Sequence, residues 1–423
     1  MESRLITSLL DSIEEKEKAA VLEFRDSLMI KIVDSAVALV QRWRTVEGRI
    51  YAGEGGRMAI VGFSGNPPKD LQKEVRSSMI ESPFFFEVPK NEREVRRDAS
   101  DGEIKRSIAN PEGLIGDLLN MIVERTSGVV TLEAINRQVA TSGGFLGMEE
   151  LTTFTSHFRV FKGEHTGHWS TTGSRLNIND VKAAMQRAEE YAAISDEVEI
   201  DEGRHRVMLS PMVFSNLLQL VGRMASAMSV EMGSSIFTKA RPGDKMFSPL
   251  LTIYDKPLSD MRPIFFDDEG VITYDKAIVE NGEFKTLLFN TALAKRRGTS
   301  STGNAGWMHP SPWNLEVAGG EASEEDVLDG DGVLFTNNWY TRLQNSMEGV
   351  FSTVGRDAIL LIRNGKVVGR SKGRLRLAGR LGDLLRNVEA VSKTQYPIRW
   401  WEVETPTKAP FVAISSFPVT KSQ

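Results

Sequence analysis

The chain has 423 residues, of which 40% are hydrophobic and 26% charged, an ordinary globular mix too long for a single core, so two or three domains are expected. Its formal net charge of −5 argues against a general nucleic-acid binder, whose footprint is basic. The absence of cysteine excludes disulfides, thiolate metal sites, iron–sulfur clusters and a cysteine nucleophile.

Along the chain, the first fifty residues read as helical. Leu5, Leu9, Leu10 and Ile13 recur at helical spacing, and "LMIKIVDSAVALVQRW" follows as a helix or as a buried strand running into one. "MESRLITSLLDSIEEKEKAA" has no apolar leader core, and no apolar run has the ~18 residues of a membrane span, so a cytoplasmic address is expected. "GRIYAGEGGRMAIVGFSG" reads as a hairpin turning at Gly53, Gly55 and Gly56. "NPPKDLQKEVRSSMI" reads as a proline-initiated helix. Residues 87–110, dense in charge, read as a mobile connector.

A helix in "GLIGDLLNMIVERT" precedes a run of strands from "GVVTLEAINRQVATSGG" to "TGSRLNI", then a strong helix in "INDVKAAMQRAEEYAAIS" with Asn179 or Asp180 as its cap. A domain boundary is placed near residues 200–206, giving an N-terminal α/β region over 1–203 and a β-rich region over 204–423. In the latter, "LSPMVFSNLLQLVGRMASAM" is an amphipathic helix. Short β segments then follow, including "RNGK" at 363–366, an Asn-Gly hairpin signal.

The usual catalytic motifs are missing: there is no GxGxxG, P-loop, GxSxG elbow or HExxH. His165 and His168 are the only close histidine pair, beside Glu164, but three residues apart on a strand they face opposite sides, which favours a turn over a metal site. His309, in "GWMHPSP", sits in a loop stiffened by Trp307 and two prolines. The stretch 363–380 carries seven basic residues and no acidic one. On an acidic protein it reads as a solvated sheet face, and no nucleic-acid ligand is expected. On the long helix, Val213, Phe214, Leu217, Leu218, Val221, Met224, Ala225 and Met228 form a core stripe. The polar face offers Ser215, Asn216, Gln219, Arg223 and Ser226. A hydrolytic zinc site needs imidazoles, a third ligand and a carboxylate base, and this face supplies none of them.

Taken together, "VMLSPMVFSNLLQLVGRMASAMSVEMGSSIF", "SPLLTIYDKPL", "FFDDEGVITYDKAIVENGEFKTLLFNTALAKRRGTSSTGNAG" and "LIRNGKVV" resemble the TldD/PmbA family, on its PmbA (TldE) side. The likeness is firm over roughly 205–375. It implies an α+β architecture, with an N-terminal α/β region and a C-terminal domain of curved, mostly antiparallel β-sheets. It also implies that TldD-type chains bind zinc through HExxxH and a C-terminal cysteine, while TldE-type chains lack these ligands and pair with a TldD chain around a closed chamber. The heterodimer is regarded as a metalloprotease that trims unfolded or ribosomally made peptides. In this chain the HExxxH slot falls on Leu218/Gln219 to Arg223/Met224, so Gln219 and Arg223 mark a degenerate metal site. The resemblance thus implies no catalytic residue and no metal in this chain, with zinc supplied by the partner. The transferable part is the loop Ser301, Thr302, Gly303, Asn304 and Gly306, which would touch a peptide or the partner, or else be a turn between strands. The expected partners are a TldD-like HExxxH subunit and a peptide substrate, with no membrane contact. The alternative is a homodimeric or higher homo-oligomeric binding or scaffold protein without a protease partner.

Overall fold

The structure, a computed structural model, describes residues 3–422. Two large sheets carry the α+β fold, and both are mostly antiparallel. The first has eight strands. Its centre is the hairpin of Glu17–Val33 with Ala36–Glu54, flanked by Arg57–Ser64 on one side and by Arg125–Thr141 and Phe145–Lys162 on the other. His165–Gly173 also pairs with Phe145–Lys162.

The expected hairpin over 48–65 is present, Ala36–Glu54 pairing with Arg57–Ser64. The helical reading holds for Ser3–Asp11 and fails beyond it, because Glu17–Val33 and Ala36–Glu54 are two long strands. Consecutive left-handed residues, Asp34 at φ 47° and Ser35 at φ 67°, reverse the chain between them as a tight hairpin requires. Here the β-branched Ile30, Ile32 and Val33 find cross-strand neighbours that outweigh the helical spacing of their apolar residues. Residues 87–110 are not a featureless connector. Arg93–Ala99 is a strand parallel to Phe145–Leu151, and Gly102–Ala109 is a helix whose first turn is capped by Asp101, Oδ1 accepting Glu103 N–H at 3.1 Å. The charge density of this strand suits a sheet edge exposed to water, with Val95 as its buried residue. The helix Ile178–Ala193 is capped by Asn177 rather than Asn179 or Asp180. It presses so closely on the first sheet that a Cβ on Gly167 would meet the Ala188 carbonyl oxygen at 2.0 Å.

The second sheet has twelve strands, drawn from Glu197 onward. Val403–Lys421 is its hub, pairing with Leu315–Val317, Gly203–Leu209, Leu375–Arg380 and Val388–Trp400. This sheet encloses the helix Pro211–Met224, whose Leu217, Leu218 and Val221 are fully buried. "RNGK" turns as expected, with Asn364 at φ 49° and Gly365 at φ 73°.

The two sheets share a core in which Phe158 and Trp169 meet Trp400 and Phe411. Ionic links cross the same seam. Arg137, from the first sheet, donates to Glu149 at 2.8 Å and to Asp268 of the second half at 2.6 Å. Arg159 pairs with Asp357 at 2.7 Å. No helix among the described residues is long and apolar enough to cross a membrane.

Candidate functional site

The helix Pro211–Met224 begins where Ser210 caps it, its Oγ accepting Val213 N–H while donating to the Thr336 carbonyl at 2.7 Å. Pro211 suits the first turn, whose amide has no intrahelical partner. Most of the helix is core, but one stripe opens onto a groove: Asn216, Gln219, Leu220 and Arg223 line a cavity of about 540 Å³. The opposite wall is Tyr340–Arg342, Trp401, Glu402, Glu404 and Thr405, and His309, Ser311 and Pro312 close one end. A second cavity of about 380 Å³ shares His309, Ser311, Pro312, Glu404 and Thr405 and continues toward Arg49, Arg262, Asp268, Asn304, Gly306 and Trp313. The two form one groove, running from the helix into the seam between the sheets.

Hydrogen bonds decide which groove residues are free. Gln219 is committed at both ends of its amide: Nε2 donates to the Thr405 carbonyl at 3.2 Å and to Thr407 Oγ1 at 3.0 Å, and Oε1 accepts Thr405 N–H at 3.0 Å. It thereby fastens the helix to the hub strand as a neighbouring strand would. Asn216 donates to the Glu402 carbonyl at 2.8 Å and accepts from Asn338 at 3.1 Å. Glu402 in turn accepts Tyr340 N–H at 3.0 Å, holding Tyr340 exposed at φ 53°, a conformation that costs a non-glycine residue energy. Arg223 is exposed and its guanidinium has no hydrogen-bond or ion-pair partner among the described residues.

The loop 301–306 divides. Asn304 and Gly306 line the second cavity. Asn304 nevertheless spends its side chain inside the protein, Nδ2 donating to Asp255 at 2.7 Å and to the Ser311 carbonyl at 3.0 Å while Oδ1 accepts from Thr302 at 2.8 Å. Ser301 and Thr302 hydrogen-bond the Phe289 carbonyl, and Gly303 turns at φ 70° against Ile272 and Thr273. These three residues lie behind the cavity wall. What the loop presents to the groove is backbone together with Gly306, rather than a row of side-chain donors.

Residues 202–421 match the PmbA/TldA metallopeptidase C-terminal domain. The chain belongs to the PmbA/TldD family. Among its relatives are an uncharacterized protein of Methanocaldococcus jannaschii, 27% identical over 62% of this chain and 65% of that one, and the metalloprotease PmbA of Escherichia coli O157:H7, 27% identical over 62% of each. The matches thus span less than two thirds of either relative. The fold coincides with that of TldE from Thermococcus kodakarensis, with a TM-score of 0.82 and 18% identity over 99% of both chains.

A metallopeptidase name implies a metal, and the groove residues of this PmbA/TldD member do not fit one. Of the slot residues, Leu218 and Met224 are buried in the core. Gln219 and Arg223, which do reach the groove, are an engaged amide and a guanidinium. A unit positive charge repels each unit of a metal's charge by about 4 kcal/mol at 4 Å near a protein surface. Among the described residues no three His, Asp or Glu side chains converge as a metal site.

The histidine pair of 165–168 is divided as a strand divides it. His168 is buried, with Nδ1 2.9 Å from Asn337 Nδ2 and its ring against His157 and Trp400. Burial holds its pKa well below the ordinary histidine value, so it stays neutral within the seam. The basic stretch 363–380 is partly neutralised where it stands: Arg363 pairs with Asp331, Arg380 with Glu348, and Arg370 is buried against the Thr166 carbonyl.

Sequence reasoning missed the far wall, Tyr340, Trp401, Glu404 and Thr405, and the seam arginines. "WWEVET" does carry a signal in its adjacent tryptophans. Trp400 ends the strand Val388–Trp400 and is 3% exposed, whereas Trp401 stands in the two-residue turn before Val403–Lys421 and is 58% exposed.

Proposed function

We propose that this chain is the non-metal, TldE-like subunit of a TldD/TldE-type heterodimeric metallopeptidase. It shapes a peptide channel, and a TldD-like HExxxH partner supplies zinc and base. The observation that carries this reading is the fate of the family's metal-binding helix. It is present and capped and opens on a groove, yet its groove positions hold Gln219, tied to Thr405, and Arg223. Family membership and the TldE-like fold support it. The continuous groove suits an extended peptide, which a backbone-lined wall accepts with little regard to sequence. The setting is cytoplasmic proteolysis or peptide processing.

The test is co-expression with an HExxxH homologue from the same genome. The expected outcome is co-purification of the two chains and peptidase activity that is lost when either is omitted. Stable homo-oligomers that ignore the HExxxH chain would favour the scaffold reading instead.

A further inference from the structure

Where the groove enters the seam, the first sheet turns Glu23, Arg25 and Glu133 toward the second half of the molecule. Residues two apart on a strand share a face, and cross-strand neighbours share it too. Arg262 and Arg399 belong to the facing side. Arg25 Nη1 donates to Glu133 Oε1 at 2.6 Å, and Arg25 also pairs with Glu23. Arg399 Nη1 stands 3.7 Å from Glu133 Oε2. Three guanidinium groups therefore gather around two carboxylates, and both carboxylates are engaged by the other two arginines. Arg262 is left over. Its guanidinium has no hydrogen-bond acceptor and no carboxylate at ion-pair distance among the described residues, and its Nε is shut off from solvent without a partner. Burial, and next the cation of Arg399, hold its pKa below the ordinary arginine value.

This residue lines the 380 Å³ cavity. The carboxylates there leave it uncompensated. Asp268 is taken by Arg137 and Arg49, and Glu404 is exposed on the wall shared with the helix groove. A largely buried guanidinium with free donors is costly unless a ligand satisfies it. Its planar fork matches a carboxylate with two parallel hydrogen bonds. One uncompensated positive charge balances one carboxylate, whereas a phosphate would bring excess charge beside Glu23 and Glu133.

We propose that Arg262 is a carboxylate-binding residue at the seam end of the groove, taking a carboxylate of the extended peptide, either its C-terminus or an acidic side chain. The carboxylate site stands on the arginine cluster and the cavity, while its peptide occupant rests on the channel reading above.

The purified full chain is titrated with ¹³C-acetate and line broadening is read by NMR. Broadening is expected in the wild type and lost in Arg262→Gln. If Arg262→Gln does not fold, as judged by circular dichroism, Arg262→Lys carries the comparison, keeping the charge without the fork and weakening the effect. No broadening in the wild type, or broadening unchanged by either variant, overturns the site. Three versions of one heptapeptide then identify the source: free C-terminus, C-terminal amide, and free C-terminus with its one Glu replaced by Gln. A loss of affinity on the order of 10-fold is expected for whichever change removes the bound carboxylate, and only with Arg262 present. Equal binding of all three removes the peptide carboxylate as the occupant. Acetate binding that depends on Arg262, with no peptide bound at all, would sink the channel reading and leave the carboxylate site standing.

Discussion

At the residue scale, "FFDDEG" shows how neighbouring carboxylates of one sequence acquire separate roles. Asp268 stands between Arg137 and Arg49, pairing with both. Asp267 and Glu269 are both buried, and burial raises the pKa of each; the charge of Asp267 raises Glu269 further, and that of Asp268 adds to both. Asp267 accepts three backbone N–H groups, from Glu269, Val271 and Ala305, at 2.9–3.0 Å, which favours its ionised form. The proton of the pair therefore belongs on Glu269, whose Oε1 has no partner and whose Oε2 accepts Thr291 N–H at 2.9 Å. A carboxyl with a raised folded pKa contributes stability below its unfolded pKa, and that stability is lost as pH rises, by at most about 1.4 kcal/mol per pH unit for one proton. The melting temperature is thus expected to fall between about pH 4.5 and about pH 8, and Glu269→Gln to flatten that slope, because the amide keeps the acceptor toward Thr291 and cannot ionise. Parallel thermal melts of the two proteins check it. The composition of the groove helix was legible at this scale, since Gln219 and Arg223 are visibly not metal ligands. That Gln219 is spent on Thr405, 186 residues away, was not, because a hydrogen bond to a distant backbone leaves no local pattern.

At the element scale, strands from the two sheets are clasped by Asp357. It sits in the left-handed region at φ 62° and receives Arg159 at 2.7 Å, Thr166 at 2.9 Å and Asn337 at 2.8 Å. Burial alone would raise its pKa, but Arg159 and these donors hold it at about 2. A depressed carboxylate contributes stability above its unfolded pKa, which is lost as pH falls from that value through the folded one. Asp357→Asn keeps a residue tolerant of this backbone and removes the charge opposite Arg159. It is expected to cost about 3 kcal/mol in urea unfolding at neutral pH and to make the acid decline below about pH 4 shallower. The misread elements belong to this scale too. Glu17–Val33 obtains its outer hydrogen bonds from Arg125–Thr141, a neighbour that no local window contains, whereas the hairpin of Ala36–Glu54 with Arg57–Ser64 is local and was legible from its glycine turn. The Asn364-Gly365 hairpin was legible because its left-handed requirement is local.

At the scale of the whole molecule, the seam between the sheets is both the structural joint and the end of the groove. Arg137 is 2% exposed and bridges Glu149 and Asp268 across it. Removing one partner from a buried ionic cluster strands the remaining charges, and Arg137→Gln is expected to cost about 3 kcal/mol or more. Calorimetry is expected to show the single transition of the parent shifting down and broadening as the halves lose their coupling. A variant melting as sharply as its parent at the same temperature would contradict this. If the heterodimer reading holds, the partner would compensate part of the loss by mass action, so the same variant is expected to regain melting temperature in the co-purified complex.

The sequence by itself determined the family, the α+β class, an amphipathic helix within Leu209–Met228 and the absence of zinc-ligand residue types on its polar face. Each of these follows from residue identity and short-range spacing. Only the tertiary structure decided that residues 17–47 are strands, that Asn304 faces inward to Asp255 while Gly306 lines the groove, and that Arg262 is the guanidinium left without a carboxylate. These depend on which distant segments become neighbours. Charge compensation and strand pairing act over angstroms in space, whatever the separation along the chain.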